Sequence, residues 1–152
     1  VDQWDWEKII SPQQRTLAHL QETVKKILLA LTEAQQQLCN VFENLEPFIS
    51  PEVSFITSQE LEDRYPLLTP KEREYEYTKQ HGTACILQIG DKLTGGKPHD
   101  GRAPDYDDWS LNGDILFWFE HLNCALEISS MGIRVEALVT VEAIEDGSII
   151  LA

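Results

Sequence analysis

An apolar stripe through residues 17–41 sets the strongest limit on how this chain folds. It consists of aliphatic side chains at steps of three and four residues: Leu17, Leu20, Val24, Ile27, Leu28, Leu31, Leu38 and Val41. This spacing predicts an amphipathic helix of about eight turns. Ser11 and Pro12 precede it as an N-cap and a first-turn proline. We interpret this helix as core architecture that carries no chemistry of its own.

Short strands and helices are predicted to alternate through the middle of the chain. Residues 53–56 and residues 83–89 have the mostly apolar composition of strands. Two helices are predicted between these strands. The first starts with a capping box of Thr57 and Glu60. The second starts with a capping box of Thr69 and Glu72 and ends at Gly82.

The first seven residues alternate in character. Gln3 and Asp5 share one parity, while the tryptophans share the other. This alternation predicts a strand with an aromatic face and an opposite polar face. A polar face of this kind is equally typical of a strand that simply meets solvent, so the pattern alone assigns it no function.

A β-hairpin is predicted toward the end of the chain. Asn112 and Gly113 form a turn signal, and residues 114–119 and 125–131 have the pattern of two strands. With 152 residues, the chain has the length of one domain with a real core. The patterns together predict an α+β fold, in which helices flank a sheet.

Residues 90–108 are predicted to form a long loop. The segment contains four glycines, two prolines and the acidic run at residues 105–108. Loops of this length are uncommon in compact domains and are usually functional or disordered. Its glycines match neither a P-loop nor a dinucleotide-binding motif, so they do not by themselves predict a phosphate site.

The charge balance argues against a nucleic-acid partner. The chain has 12 lysines and arginines against 26 aspartates and glutamates, which gives a formal net charge of −14. DNA- and RNA-binding proteins neutralise phosphates with clustered basic side chains, and the sequence has no such cluster. ATP binding remains compatible with this net charge, provided that magnesium and a few suitably placed cationic groups offset the repulsion between the acidic chain and the phosphates.

Neither a membrane nor an oxidising compartment is indicated. No apolar run approaches the roughly 20 residues of a membrane helix, and residues 1–7 lack the features of a signal peptide. The three cysteines have no paired spacing, which favours a reduced, cytoplasmic setting in which they are small core residues.

Asp114 and Glu127 are the clearest candidate pair of carboxylates. They lie on the two strands of the predicted hairpin, where facing like charges are unfavourable unless a cation lies between them or one is protonated. Mg²⁺ commonly takes one or two carboxylates, with water and phosphate oxygens completing its shell. The alternative is that both side chains face solvent, and the pattern leaves this open.

Four longer motifs occur in a fixed order along the chain. They are VDQWDWE at residues 1–7, RAPDYDDW at residues 102–109, LNGDIL at residues 111–116 and EISSMGIRV at residues 127–135. Together they resemble the aspartate–ammonia ligase family, of the asparagine synthetase A type. The resemblance covers residues 1–135 and leaves residues 136–152 unmatched.

This resemblance implies a fold, a reaction and an assembly. The fold is that of class II aminoacyl-tRNA synthetases, with an antiparallel sheet flanked by helices, and the assembly is a homodimer. The reaction consumes aspartate, ammonia and ATP with Mg²⁺: aspartate is activated as aspartyl-adenylate, and ammonia then attacks the acyl carbon to release asparagine and AMP. A true aminoacyl-tRNA synthetase is disfavoured by the acidic composition and by the absence of a tRNA-binding domain.

The resemblance also implies an amino-acid pocket. Gln3 and Asp5 match family positions that hold aspartate. Asp107 matches a catalytic position at which a carboxylate binds the substrate ammonium. Arg134 matches an arginine near the active site, although a structural ion pair is an alternative. Arg102 is either a pocket residue or a loop anchor.

A nucleotide site is implied beside this pocket. Asp114 and Glu127 match carboxylates near the ATP phosphates and are the expected magnesium ligands. Ser129 and Ser130 are expected to contact the nucleotide or its metal-bound phosphates.

The sequence departs from the family pattern in three places. An upstream segment with phosphate-binding lysine and arginine and a downstream glycine-rich segment are absent, and residues 109–112 join two motifs that the family separates. We therefore expect residues 1–152 to be a partial catalytic domain that is inactive alone. The alternative is a non-catalytic remnant that binds aspartate or asparagine, or pairs with a full-length subunit.

Overall fold

A computed structural model describes residues 5–135. The fold is α+β, as predicted. A 3₁₀ turn at Pro12–Gln14 precedes helix α1 (Leu17–Val41), which is followed by strand β1 (Ser54–Thr57), helices α2 (Ser58–Arg64) and α3 (Pro70–His81), and strand β2 (Thr83–Leu87). Strands β3 (Asp107–Phe119) and β4 (Cys124–Arg134) complete the described part, joined by a 3₁₀ turn at Glu120–Leu122.

The four strands form one mixed sheet, in the order β1-β2-β3-β4. Strands β1 and β2 are parallel, whereas β2, β3 and β4 are antiparallel to their neighbours. The antiparallel sheet that the sequence analysis predicted is therefore present in β2, β3 and β4, whereas the pairing of β1 with β2 departs from it. The reason is the path between β1 and β2: α2 and α3 form a crossover connection, which returns the chain in the same direction.

The sheet buries apolar side chains on both faces. On one face, helix α1 covers a cluster that contains Leu20, Val24, Leu28, Cys85, Leu87, Ile115 and Phe117. On the other, α2 and α3 cover a cluster that contains Ile56, Leu61, Tyr77, Ala84, Ile86, Ile89 and Leu116. Neighbouring residues of β2 alternate between the two clusters because side chains along a strand point to opposite faces. The helix stripe read from the sequence is therefore core from Leu17 to Leu31, as predicted, whereas Leu38 and Val41 near the end of α1 are exposed.

The predicted capping boxes are present. The side chain of Thr57 accepts from the Glu60 N–H and that of Thr69 from the Glu72 N–H, while each glutamate accepts from the N–H of its threonine. Gly82, with φ of 76°, ends α3. These contacts satisfy backbone N–H groups that have no partner inside the helix.

The three cysteines are free, but only one of them is a core residue. Cys85 is fully buried, and burial raises the pKa of its thiol to about 12, with the charge of Asp114 adding to the shift. Cys39 and Cys124 are half-buried, which corrects the expectation that all three lie in the core.

Asn112 and Gly113 lie inside β3 and do not form the predicted turn. The Asn112 side chain pairs with the backbone of Ile89, donating to its carbonyl at 2.7 Å and accepting from its N–H at 2.7 Å. Gly113 is needed because a Cβ there would lie 2.9 Å from the Ile86 carbonyl oxygen. The hairpin turn lies instead at the 3₁₀ turn after Phe119.

The strand predicted over residues 1–7 is not present in residues 5–7, the part of this segment that the structure describes. Residues 5–7 have no regular secondary structure. Residues 1–4, including Gln3, lie outside the described residues, as does the tail at residues 136–152. Among residues 5–135, no helix has the length and apolar character needed to cross a membrane.

Acid is expected to weaken the contact between α2 and the β2–β3 loop. A hydrogen bond from the Gly95 N–H, helped by Thr94 and Arg73, holds the pKa of Glu62 below its usual 4.5. A carboxyl with a lowered folded pKa stabilises the fold above its unfolded pKa, and this contribution is lost as pH falls through the folded pKa. Glu62→Gln should therefore lower the free energy of unfolding near neutral pH and have a smaller effect at about pH 3.

Urea unfolding of both proteins at the two pH values measures this difference. Glu76→Gln, at an exposed position of α3, is the matched control and should have little effect at either pH. An equal loss for Glu62→Gln at both pH values would contradict this role of the ionised carboxylate.

Candidate functional site

One cavity collects most of the residues predicted from the sequence. Its volume is about 740 Å³, within the usual range for small-molecule sites. It lies between residues 5–10, the start of α1, the end of the β2–β3 loop and the last residues of β4. The predicted residues that line it are Asp5, Arg102, Asp107, Ser129, Ser130 and Arg134.

Asp107 and Arg134 form the central ion pair of the cavity. Asp107 begins β3 directly opposite Arg134 on β4, and is only 8% exposed. Arg134 Nη1 donates to Asp107 Oδ1 at 2.5 Å. Because a carboxylate has a second oxygen that accepts hydrogen bonds, Asp107 keeps acceptor capacity for another cation.

Arg134 is held on several sides. Its Nη2 donates to the Tyr106 hydroxyl at 2.6 Å and to Glu7 Oε1 at 3.1 Å, and its guanidinium carbon lies 3.6 Å from the centre of the Tyr106 ring. Burial favours the neutral form, but the hydrogen bonds that Arg134 donates to Asp107 and Glu7 outweigh it and raise the pKa of Arg134. The structural ion pair considered from the sequence is therefore present, and it fixes a charged guanidinium at the cavity.

Arg102 both lines the cavity and anchors the loop, so the two sequence alternatives are not exclusive. Its guanidinium donates to the carboxylate of Asp114 and to the hydroxyl of Ser130. Asp114 lies in the middle of β3, opposite Ser130 on β4, and is 5% exposed. The arginine thus joins the loop to two neighbouring strands.

Asp114 and Glu127 lie on adjacent strands but not directly opposite each other. Glu127 faces Leu116, and the ladder has an irregularity between Ile115 and Leu116. Burial raises the pKa of the Asp114 carboxyl, and partial burial raises that of Glu127, whose side chain is 41% exposed. Arg102 offsets part of this effect at Asp114, whereas the charge of Asp114 adds to it at Glu127.

The donor set of these carboxylates fits one kind of metal site. Among residues 5–135, no group of three or more histidine, cysteine, aspartate or glutamate side chains is arranged to hold a metal ion. Asp114, which is paired with Arg102, and Glu127 lie on neighbouring strands and are two carboxylates, the number that Mg²⁺ commonly takes before water and phosphate oxygens complete its shell. A cation there would relieve their mutual repulsion.

Sequence reasoning missed Arg15. Its Nη1 donates to the Arg134 carbonyl oxygen and its Nη2 lies 3.2 Å from Asp108 Oδ2. The residue follows the 3₁₀ turn before α1 and fastens this segment to both strands of the hairpin. No local pattern marks it, because its partners are distant in sequence.

The sequence analysis also missed Lys71 and Glu74 of α3 and His99 of the β2–β3 loop. His99 is buried and lies 3.0 Å from Glu74, and Lys71 lies 2.8 Å from Glu74 and 3.8 Å from Glu127. His99 lies in the loop between β2 and β3. Its burial and its partner are not apparent from the sequence, in which it stands among exposed loop residues.

Comparison with known proteins gives one consistent result. The family model described as aspartate-ammonia ligase matches residues 1–146. Proteins named aspartate–ammonia ligase from Levilactobacillus brevis, Bacillus mycoides and Bacillus cytotoxicus are 54%, 53% and 53% identical over 137 residues. These alignments cover 90% of this chain, but only 41% of the first relative and 42% of the other two.

Proposed function

Because the chain belongs to the aspartate–ammonia ligase family, we propose that its cavity binds aspartate for ATP-dependent conversion to asparagine. The observation that supports this most strongly is the group of family-matched polar residues, Asp5, Arg102, Asp107 and Arg134, around one cavity. The chain spans about two fifths of the length of these relatives, so the activity of a whole protein belongs to the proposal.

The proposed reaction has two steps, both involving the side-chain carboxyl group of aspartate. A side-chain carboxylate oxygen of aspartate attacks the α-phosphorus of ATP, giving aspartyl-adenylate and pyrophosphate. Ammonia then attacks the acyl carbon, AMP leaves with the bridging oxygen, and loss of one proton from the nitrogen gives asparagine. No covalent bond to the protein is needed, so the side chains act by positioning the reactants and stabilising developing charge.

Asp107 is the proposed partner of the substrate α-ammonium. Its Oδ1 is occupied by Arg134, and its second carboxylate oxygen completes a charge-assisted hydrogen bond with an ammonium. Asp5 lines the same cavity. We propose that Asp5 and Gln3 complete the amino-acid pocket, and that Arg134 acts by holding Asp107.

Asp114 and Glu127 are the proposed magnesium ligands. A bound Mg²⁺ would neutralise phosphate charge as the adenylate forms. Ser129 and Ser130 supply hydroxyl groups toward the nucleotide phosphates, and Ser130 already accepts a hydrogen bond from Arg102. The class II synthetase-like fold, the homodimer and a cytoplasmic location are further parts of this proposal.

A chimeric enzyme tests the proposed function. The matched segment of the Levilactobacillus brevis relative is replaced by the corresponding residues of this chain, and AMP and asparagine are measured together. We expect equal amounts of both, formed only when aspartate, ammonium, ATP and Mg²⁺ are all present. Asp107→Asn should lower kcat/KM by about a hundredfold, because the substrate ammonium loses an ionic partner that orients it.

Asp105→Asn in the same chimera is the matched control. Asp105 is exposed and does not line the cavity, so its neutralisation should leave kcat/KM within about twofold. A folded chimera that forms neither product, or an Asp107→Asn chimera as active as the control, would refute the proposed function.

A further inference from the structure

The loop between β2 and β3 is fastened to the helices at two places before it reaches the cavity. The first fastening is at Glu62 of α2, whose Oε2 accepts from the Gly95 N–H at 2.9 Å and from the Thr94 hydroxyl at 3.2 Å. Glu62 is itself paired with Arg73 of α3 at 3.1 Å. The first half of the loop is thus fixed to α2 and, through Arg73, to α3.

The second fastening is the pair of His99 and Glu74. The two side chains are 1% and 9% exposed, and His99 Nε2 lies 3.0 Å from Glu74 Oε1. Because an ionised carboxylate only accepts hydrogen bonds, Nε2–H is the donor. Hydrogen bonds from His99 and Lys71 outweigh the effect of burial and lower the pKa of Glu74, so the acceptor is a carboxylate.

The His99–Glu74 pair is poorly suited to a role in fold stability alone. The other ring nitrogen of His99, Nδ1, is buried and has no hydrogen-bond partner. A buried polar group without a partner costs free energy, which offsets part of what the hydrogen bond to Glu74 contributes. What the pair does provide is a fixed position for the loop backbone.

The fixed position matters because Arg102 follows three residues later. Three extended residues span at most about 11 Å, so the His99 backbone limits where Arg102 can lie. Arg102 is the side chain that joins this loop to Asp114 and Ser130 at the cavity. The same Glu74 also holds Lys71, which lies 3.8 Å from Glu127.

We propose that His99 and Glu74 are positioning residues, which hold the β2–β3 loop on α3 so that Arg102 reaches Asp114 and Ser130. Neither residue lines the cavity, so both act through Arg102. The positioning itself is a property of the fold. Its consequence for aspartate binding rests on the proposed function of the cavity.

Chemical modification of Arg102 tests the positioning without any substrate. Phenylglyoxal reacts with free guanidinium groups, and mass spectrometry of the digested chain follows Arg102 against exposed Arg64 as an internal standard. In His99→Ala and Glu74→Ala, Arg102 should react about tenfold faster, the change expected from losing one hydrogen bond to a charged group. Glu74→Gln keeps an oxygen acceptor for His99 and should stay close to the unaltered rate.

Lys97→Gln, at an exposed position of the same loop, is the control and should leave the rate unchanged. Unaltered Arg102 reactivity in folded His99→Ala would overturn the proposal. If His99→Ala does not fold, the comparison of Glu74→Ala with Glu74→Gln decides, since equal rates in these two variants would also overturn it.

A second measurement separates this proposal from the proposed function. Aspartate affinity, measured by calorimetry on the folded variants, should fall about tenfold in Glu74→Ala and recover in Glu74→Gln. Faster Arg102 modification together with unchanged aspartate affinity would support the positioning and contradict its role in binding. An unaltered chain that binds no aspartate would contradict the proposed function alone.

Discussion

Gly132→Ala is expected to displace Asp107 and to weaken aspartate binding by at least about tenfold. A Cβ at position 132 would lie 2.6 Å from Asp107 Cγ and 2.9 Å from each carboxylate oxygen. The Asp107 side chain cannot easily move away, because it is short and its Oδ1 accepts a hydrogen bond from Arg134. Displacing it breaks the ion pair, and misplacing a group by about 1 Å at a reacting centre costs on the order of a hundredfold in rate.

Gly101→Ala is the matched control for this substitution. Gly101 lines the same cavity, but a Cβ there meets no atom within 4 Å and its backbone is not in the left-handed region. Its aspartate affinity should remain within about twofold of the unaltered chain. Equal losses in the two variants, measured by calorimetry, would show that alanine disturbs the cavity generally and not through Asp107.

Leu28→Ala is expected to give the largest loss of stability among simple truncations of α1. Leu28 has no exposed surface and lies in the cluster that α1 forms with the sheet, beside Phe117 and Ile115. Truncation removes apolar contacts and leaves a cavity, at a cost of about 2–5 kcal/mol. Because the free energy of unfolding of a whole domain is only about 5–15 kcal/mol, this loss is a large fraction of the total stability.

Leu67→Ala is the control with the same chemical change. Leu67 is 96% exposed, so its truncation should change the free energy of unfolding by less than about 0.5 kcal/mol. Urea unfolding followed by circular dichroism measures both. A Leu28→Ala loss no greater than that of Leu67→Ala would mean that α1 is not packed on the sheet in solution.

The sequence predicted those parts of the fold that local patterns determine. Helix α1 follows from the spacing of its aliphatic residues, and α2 and α3 follow from their capping boxes, since both signals lie within a few residues. Asn112 was misread because its role is not local: its amide substitutes for a strand partner at Ile89, 23 residues away. A turn prediction from the Asn-Gly pair uses only adjacent residues, so it cannot detect a partner that is distant in the sequence.

The candidate site was predictable in its members more than in its geometry. Resemblance to a family selected six residues that line one cavity, together with Asp114 and Glu127, which do not line it, and Gln3, which lies outside the described residues. It gave no indication that Arg102 ties the loop to Asp114, or that Arg15 reaches the Arg134 carbonyl across 119 residues. The irregular register of β3 and β4 also changes which side chains are opposed, and strand patterns carry no signal for it.

Titration calorimetry of aspartate into this chain tests the central proposal most directly. We expect saturable binding at one site, with a dissociation constant at or below about 1 mM, the upper range for enzyme substrates. Asp107→Ala should abolish it, and Asp105→Asn should leave it intact. A folded chain that takes up no aspartate at about ten times that concentration, or an Asp107→Ala variant that binds as well as the control, would contradict the assignment of this cavity.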